Sequence, residues 1–183
     1  MKIFGLAGWS GSGKTTLTAR LLPELIGRGL TVSTMKHAHH SFDIDQPGKD
    51  SYVHRMAGAA EVLVASAHRW ALMHAHRGAP EPSAAELMRQ MTTVDLLLIE
   101  GFKREPHSKL EVYRKVNGKP LLHPDDPHIV AVASDVPLPQ STLPVISIDD
   151  IPAIAGFIIG HCGLQPKTSR QPSALGIKLT ADG

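Results

Sequence analysis

The chain has 183 residues, of which 42% are hydrophobic and 20% charged, so the sequence predicts one domain with a substantial core. A net charge of +2 and an aromatic content of 4% do not favour a nucleic-acid partner, which needs a basic face or stacking rings. One cysteine, Cys162, and the lack of an apolar run of about 18 residues predict a cytoplasmic protein without a membrane span.

A strand is predicted at residues 2–7, then a glycine-rich loop, then a helix over residues 13–28. The loop matches G-x-x-x-x-G-K-[ST] at every fixed position; it consists of Gly8, Trp9, Ser10, Gly11, Ser12, Gly13, Lys14 and Thr15, and a second hydroxyl, Thr16, follows it. Glycines let the amides converge on an anion at the start of the helix. The loop through Thr16 is therefore predicted to bind nucleotide phosphates, with Lys14 as a catalytic residue and the Thr15 hydroxyl on Mg²⁺. The strand and helix on either side argue against a chance match.

A second strand is predicted at residues 31–37, where Lys36 and His37 are candidates for contact with a phosphate or another anionic group. His37 also forms a cluster with His39 and His40. A zinc site is one alternative for this cluster, although no cysteine helps it, and a hydrated surface is another.

The polar connection that extends to residue 51 contains proline and glycine and is typical of a functional loop. Two of its acids, Asp45 and Asp50, are candidate catalytic residues, either as a second acid near the metal or to position water. A short helix is predicted from Asp50 to Gly58.

Strands at residues 60–65 and 69–73 predict an inserted β-hairpin, which we place at about residues 60–77. Its apolar side chains are Val62, Val64, Trp70 and Leu72, and a two-stranded ribbon is marginal alone. We therefore expect the hairpin to form a dimer contact; the alternative is that it extends the sheet of its own chain. After a linker, Ser83 and Glu86 form a capping box that predicts a helix to Met91.

A nearly continuous apolar run at residues 94–101 predicts a central parallel strand of the Walker B type. It ends at Glu100, which is the predicted partner of Thr15 around Mg²⁺; a solvated strand-end acid is the alternative. Asp95 lies at the opposite end, roughly 16 Å away at 3.3 Å per residue.

The remaining strands are predicted at residues 109–114, as an edge or half-exposed strand, and at 129–134 and 144–148. Asp135 follows the second of these and could accept hydrogen bonds from guanine, or could cap a turn. A closing helix is predicted over residues 151–161, and residues 165–183 are expected to be a disordered tail. Residues 1–164 would then form an α/β domain, a three-layer sandwich of the phosphate-loop NTPase type with a mostly parallel sheet and an added hairpin.

Together these segments resemble the molybdopterin-guanine dinucleotide biosynthesis protein B family. The segments that carry the resemblance are residues 8–16, 36–40, 43–51, 64–66, 69–73, 98–103 and 131–135. The phosphate loop alone is generic, whereas the H-x-H-H, D-x-P-G-K-D-S and E-G-F-K motifs in this order are far more specific. The tail departs from the family pattern.

The resemblance implies a homodimeric protein that binds GTP and Mg²⁺ and has weak GTPase activity. Such a protein assists the guanylyltransferase that joins GMP to molybdopterin, and would meet molybdopterin or its guanine dinucleotide. A small-molecule kinase of the phosphate-loop class is the alternative, but the sequence shows no arginine-rich lid: Arg104 and Arg114 are isolated.

Overall fold

The structure is a computed structural model that describes residues 1–38, 42–102 and 105–166. It contains eight strands: β1 (Lys2–Ala7), β2 (Val32–Lys36), β3 (Glu61–Ala65), β4 (Trp70–His74), β5 (Leu96–Glu100), β6 (Lys109–Tyr113), β7 (Ile129–Ser134) and β8 (Val145–Ser147). The helices are α1 (Lys14–Gly27), α2 (Asp50–Met56), α3 (Ala84–Arg89) and α4 (Ile151–Cys162). No helix in the described ranges is long and apolar enough to cross a membrane.

The backbone forms two compact units. Unit 1 comprises Met1–His37 together with the described chain from Thr93 onward, and unit 2 comprises Ala38–Thr92. The predicted hairpin belongs to unit 2, as the antiparallel pair β3–β4. The organisation as one domain with an insertion stays a prediction.

Unit 1 is built on a six-stranded sheet in the order β2-β5-β1-β6-β7-β8, and all its strand pairs are parallel. Parallel strands all end at the same edge of a sheet, so the segments that follow β1, β2, β5, β6 and β7 meet there. This confirms the predicted α/β fold with a parallel sheet.

The core of unit 1 lies between one face of the sheet and the helices α1 and α4. Its centre is formed by fully buried leucines of α1 (Leu21 and Leu25), isoleucines of α4 (Ile154 and Ile158) and alternate residues of the strands. Pro23 lies inside α1, and the helix continues past it to Gly27. Burial of this apolar stripe, at about 25 cal/mol per Å², is what stabilises the layers against each other.

The prediction that residues 109–114 form an edge or half-exposed strand was wrong. The strand β6 lies between β1 and β7, and its polar residues Lys109 and Glu111 are only 1% exposed. Each has a specific partner: Lys109 Nζ is 3.2 Å from Asp126 Oδ2, and the Glu111 carboxylate accepts hydrogen bonds from the backbone amides of Leu122 and His123. The alternating pattern therefore marks buried charges with partners, not exposure to solvent.

His107, whose ring is partly buried, lies near Lys109 and Asp126. Burial, and then the nearby charge of Lys109, lower the pKa of His107 to about 4. The imidazole is therefore neutral near pH 7.

Unit 2 has few buried residues. Helix α2 buries none, and in the hairpin Leu63, Trp70 and Leu72 are 61%, 66% and 45% exposed. Leu63 pairs with Leu72 and Ala65 with Trp70, so these side chains share one face, because directly paired residues of antiparallel strands point to the same side. Val62 and Val64 lie on the other face, where Val62 is buried and Val64 is 47% exposed. The expectation that Val62 and Val64 share one apolar surface with Trp70 and Leu72 was therefore wrong.

Candidate nucleotide site

The phosphate loop is shaped by glycine backbone geometry. Gly13 caps the start of α1 with φ 92° and ψ 18°, a left-handed conformation that costs other residues free energy. At Gly8, an added Cβ would lie 2.6 Å from the carbonyl oxygen of Val112 on β6, so the loop approaches that strand too closely for any side chain. The hydroxyl of Ser12 is buried and makes no hydrogen bond to any described residue.

The Lys14 side chain folds along this loop. Its Nζ donates hydrogen bonds of 2.9 Å to the carbonyl oxygens of Gly8 and Trp9. The ammonium thus lies against the backbone of the loop, and its contact with phosphates stays a prediction. Ser10, inside the loop, and Thr16, directly after it, are exposed.

The predicted metal ligands lie next to each other. Thr15 Oγ1 donates to the Glu100 carboxylate, at 3.0 Å from Oε1 and 3.3 Å from Oε2. Lys36 pairs with Glu100 in the register of β2 and β5, and its Nζ is 3.7 Å from Oε1. A hydroxyl and a carboxylate beside a phosphate loop are the hard oxygen ligands that Mg²⁺ accepts, so this group of residues fits the ion.

Asp95 lies at the other end of β5, as predicted. Its Oδ2 accepts hydrogen bonds from the backbone amide and the hydroxyl of Thr31, at 2.8 and 2.7 Å. This acid holds β2 to β5 and does not face the phosphate loop.

His37 contributes to the end of β2 in a way that sequence did not indicate. Its backbone amide donates to the Glu100 carbonyl, and its ring centroid is 4.9 Å from that of Phe102. Phe102 has φ 46°, a strained value for a residue with a side chain, directly after the Walker B strand. An added Cβ at Gly101 would lie 2.9 Å from His37 Cβ, so the strand end is tightly packed around the acid.

A second group of residues reaches the loop from the segment after β6. Arg114 and Asn117 both lie close to glycines of the loop. A Cβ atom built on Gly13 would be 3.2 Å from Arg114 Nε, and one built on Gly11 would be 3.8 Å from Asn117 Oδ1. Trp9 Nε1 donates a 2.8 Å hydrogen bond to the Pro120 carbonyl, and Lys119 Nζ is 5.9 Å from the Trp9 ring centroid.

Arg114 was expected to be isolated, and this group of residues was not predicted. It follows from the position of β6 beside β1 in a parallel sheet, where the segment after β6 meets the phosphate loop. The wrong prediction that residues 109–114 form an edge or half-exposed strand gave no reason to expect this.

Asp135 is engaged as a turn cap. Its Oδ1 accepts a 2.9 Å hydrogen bond from the Lys115 amide, and its Oδ2 is 4.0 Å from Arg114 Nη1. The structure thus shows the capping alternative, while recognition of guanine by this acid stays a prediction.

The two candidate catalytic acids lie in unit 2. Asp45 is only 3% exposed, and its carboxylate accepts hydrogen bonds from Arg55 Nε at 3.1 Å and from Nη2 at 2.9 Å. The hydrogen bond with Asp45 raises the pKa of Arg55. Asp50 is exposed in the first turn of α2 and lines a hollow of about 490 Å³ with Lys49, Ser51 and His54. Asp45 thus organises its own loop, and a catalytic role for either acid stays a prediction.

Several predictions concern residues outside the described ranges: His39 and His40 of the histidine cluster, Arg104, and the tail beyond residue 166. Among the residues that are described, no group of three or more histidine, cysteine, aspartate or glutamate side chains is placed to hold a metal ion.

A strand, a phosphate loop with its lysine and a helix, with an acid at the end of the neighbouring parallel strand, define an α/β protein of the phosphate-loop NTPase-like fold. Residues 3–135 match the MobB family, described as molybdopterin guanine dinucleotide synthesis protein B. The chain belongs to this family.

Two relatives agree with this assignment, and one solved structure agrees with the fold. Two proteins described as molybdopterin-guanine dinucleotide biosynthesis adapter protein are similar to the chain. The one from Escherichia coli is 43% identical over 160 residues, 86% of this chain and 91% of the relative. The one from Haemophilus influenzae is 42% identical over 159 residues, 85% of this chain and 86% of the relative. The crystal structure of Bacillus subtilis MobB superposes with a TM-score of 0.69 at 24% identity, covering 91% of this chain and 100% of that one.

Proposed function

We propose that the chain is a GTP-binding accessory protein of molybdenum cofactor biosynthesis. It assists the guanylyltransferase that converts molybdopterin to molybdopterin guanine dinucleotide. The observation that carries the proposal is the Thr15 hydroxyl held 3.0 Å from Glu100 behind a complete phosphate loop, in a chain of the MobB family. The description of the relatives as adapters supports the accessory role.

Each residue has a distinct part in this proposal. The amides from Gly8 to Gly13 bind the phosphates, Lys14 neutralises the outer ones, and Thr15 and Glu100 hold Mg²⁺. When bound, the ion offsets negative charge on the phosphate oxygens. Lys36 lies beside the Glu100 carboxylate, and the backbone amide of His37 fixes the Glu100 carbonyl, so that the end of β5 is held in place next to Thr15.

Hydrolysis of GTP is expected to be slow. The segment after Glu100 has no glutamine to orient a water molecule. Of the two candidate acids, the Asp45 carboxylate is held by Arg55, whereas Asp50 is exposed; both stay candidates to position water. An accessory protein that delivers or senses nucleotide does not need fast turnover.

The exposed apolar hairpin face formed by Leu63, Ala65, Trp70 and Leu72 is the proposed dimer contact. These apolar side chains of a two-stranded ribbon are in contact with water, which is unfavourable unless a partner covers them. A second copy of the chain presents the same face and can pair with it around a twofold axis.

The functional test is a reconstituted reaction that contains guanylyltransferase, molybdopterin, GTP and Mg²⁺. Addition of the wild-type chain should raise the rate of guanine dinucleotide formation, whereas Lys14→Ala should not. Lys2→Ala is the matched control, because Lys2 is an exposed lysine at the opposite end of β1. Equal stimulation by wild type and Lys14→Ala would contradict the proposal. Transfer of phosphate to a small acceptor, without phosphate release, would favour a kinase instead.

A further inference from the structure

The order of the strands indicates on which side of β1 the metal and the outer phosphates would lie, and on which side the nucleoside would lie. The carboxylate, the threonine hydroxyl and Lys36, which suit the metal and the outer phosphates, lie at the ends of β5 and β2 on one side of β1. The phosphate loop follows β1 itself. A triphosphate that crosses the loop from the metal side therefore carries its nucleoside towards the other side, above the ends of β6 and β7.

On that side the chain turns sharply against the phosphate loop. Residues Lys115–Asn117 form a single 3₁₀ turn, which Gly118 ends in a left-handed conformation. Asp135 holds the turn from below through the Lys115 amide, and Glu111 fixes the following segment through the amides of Leu122 and His123. Hydrogen bonds to two acidic side chains thus hold the turn and the segment that follows it.

Asn117 in this turn has an unsatisfied polar group. Its Nδ2 is buried and makes no hydrogen bond to any residue within the described ranges. A Cβ atom built on Gly11 would be 3.8 Å from Asn117 Oδ1 and 4.0 Å from Asn117 Nδ2, so the amide group faces the phosphate loop. Because leaving a buried donor without an acceptor costs free energy, such a group in a site indicates a ligand acceptor.

The chemistry of the purines identifies that acceptor. Guanine presents two acceptors, O6 and N7, on one edge, whereas adenine presents N7 beside an amino group that is itself a donor. An amide N–H₂ therefore suits the 6-oxo group of guanine and opposes the 6-amino group of adenine. Asp135 is already occupied by the Lys115 amide, so it supports the turn.

We propose that Asn117 selects guanine by donating a hydrogen bond from Nδ2 to the 6-oxo group, while Asp135 positions the turn that carries it. This inference rests on the proposed nucleotide site and assigns its base specificity. Inosine triphosphate keeps the 6-oxo group and lacks the 2-amino group, so it isolates this contact.

The test measures dissociation constants for GTP, inosine triphosphate, ATP and inorganic tripolyphosphate, each with Mg²⁺. Wild type should bind GTP and inosine triphosphate at least about 10-fold more tightly than ATP, as expected for one buried hydrogen bond. Asn117→Ala should weaken GTP and inosine triphosphate by about 10-fold and leave ATP and tripolyphosphate within about twofold. Asn117→Leu, which is similar in size and loses the donor without adding a charge, should show the same selective loss. Gln90→Ala, which removes an exposed amide from the end of α3, is the control.

An unchanged ratio of GTP to ATP affinity in both Asn117 variants would overturn the inference and leave the nucleotide site in place. An equal loss of tripolyphosphate affinity would also overturn it, because Asn117 would then support only the loop. If wild type bound neither GTP nor tripolyphosphate, the proposed nucleotide site itself would fail.

Discussion

The two units of the chain differ in how far their apolar side chains are buried. In unit 1 the four central strands, β5, β1, β6 and β7, are mostly buried, and even the charged side chains of β6 are covered and paired. In unit 2 the hairpin leaves Leu63, Trp70 and Leu72 exposed, and α2 has no buried residue. The difference indicates that unit 1 is complete by itself, whereas unit 2 has a surface that is suited to a partner.

Substitutions in the two units should therefore affect different properties, namely the free energy of unfolding and self-association. A substitution inside unit 1 should act on unfolding, because it leaves a cavity or a buried polar group without a partner. A substitution on the hairpin face should act on self-association and hardly change unfolding.

The largest effect is expected from Glu111→Ala. The change leaves the partly buried amides of Leu122 and His123 without their acceptor and a cavity at a fully covered position, so the free energy of unfolding should fall by about 3 kcal/mol. Chemical denaturation measures it, with the exposed acid variant Asp125→Ala as the control. A loss below about 1 kcal/mol would mean that the buried carboxylate is not what holds this segment.

Next in size is the effect of Leu72→Lys on the dimer. A charge in the middle of the apolar face should raise the dimer dissociation constant by about 10-fold to 100-fold, while unfolding of the monomer changes by less than about 1 kcal/mol. Analytical ultracentrifugation gives the mass. Val116→Lys is the matched control, since Val116 is an 85% exposed apolar residue of unit 1. A dimer of unchanged affinity in Leu72→Lys would place the interface elsewhere.

The sequence allowed the fold of unit 1 to be predicted because its signals are local. The phosphate loop and the apolar run before Glu100 each specify their own element, and the capping box at Ser83 does the same in unit 2. All three occur where predicted. The position of β6 is not a local property. Whether Lys109 and Glu111 face water or partners depends on Asp126 and Leu122, which are distant in sequence.

The same reason explains the parts of the site that sequence reasoning missed. Arg114 and Asn117 contribute through the turn after β6, which meets the phosphate loop only because β6 is next to β1. Likewise, the hairpin was predicted correctly, but the register was needed to place Trp70 and Leu72 on one face and the buried Val62 on the other.

A smaller effect is expected from Glu100→Gln. The change keeps the size of the side chain and removes its charge, so the gain in GTP affinity that Mg²⁺ provides should fall by about 10-fold, with metal-free binding little changed. Titrations with and without Mg²⁺ measure it, and Asp95→Asn serves as the comparison because Asp95 bonds to Thr31 at the far end of β5. A larger metal effect in Asp95→Asn would reverse the assignment of the strand ends.

The smallest effect concerns pH. The pKa of His107 in the folded protein is about 4, below the ordinary value of 6.5, so the unfolded chain binds more protons between these values. Stability from the neutral ring is present above pH 6.5 and is lost as the pH falls towards 4. Between pH 7 and 4.5 the fall in melting temperature should be shallower in His107→Gln than in wild type or in the exposed control His68→Gln. Parallel curves would show that His107 does not contribute.

The central claim is that the phosphate loop of unit 1 is a GTP site, and an equilibrium titration of GTP with Mg²⁺ tests it most directly. Wild type and Lys2→Ala should bind with equal affinity, and Lys14→Ala should bind about 100-fold more weakly or not at all, with an unchanged circular dichroism spectrum. GTP binding of equal strength in wild type and in a folded Lys14→Ala variant would contradict the account.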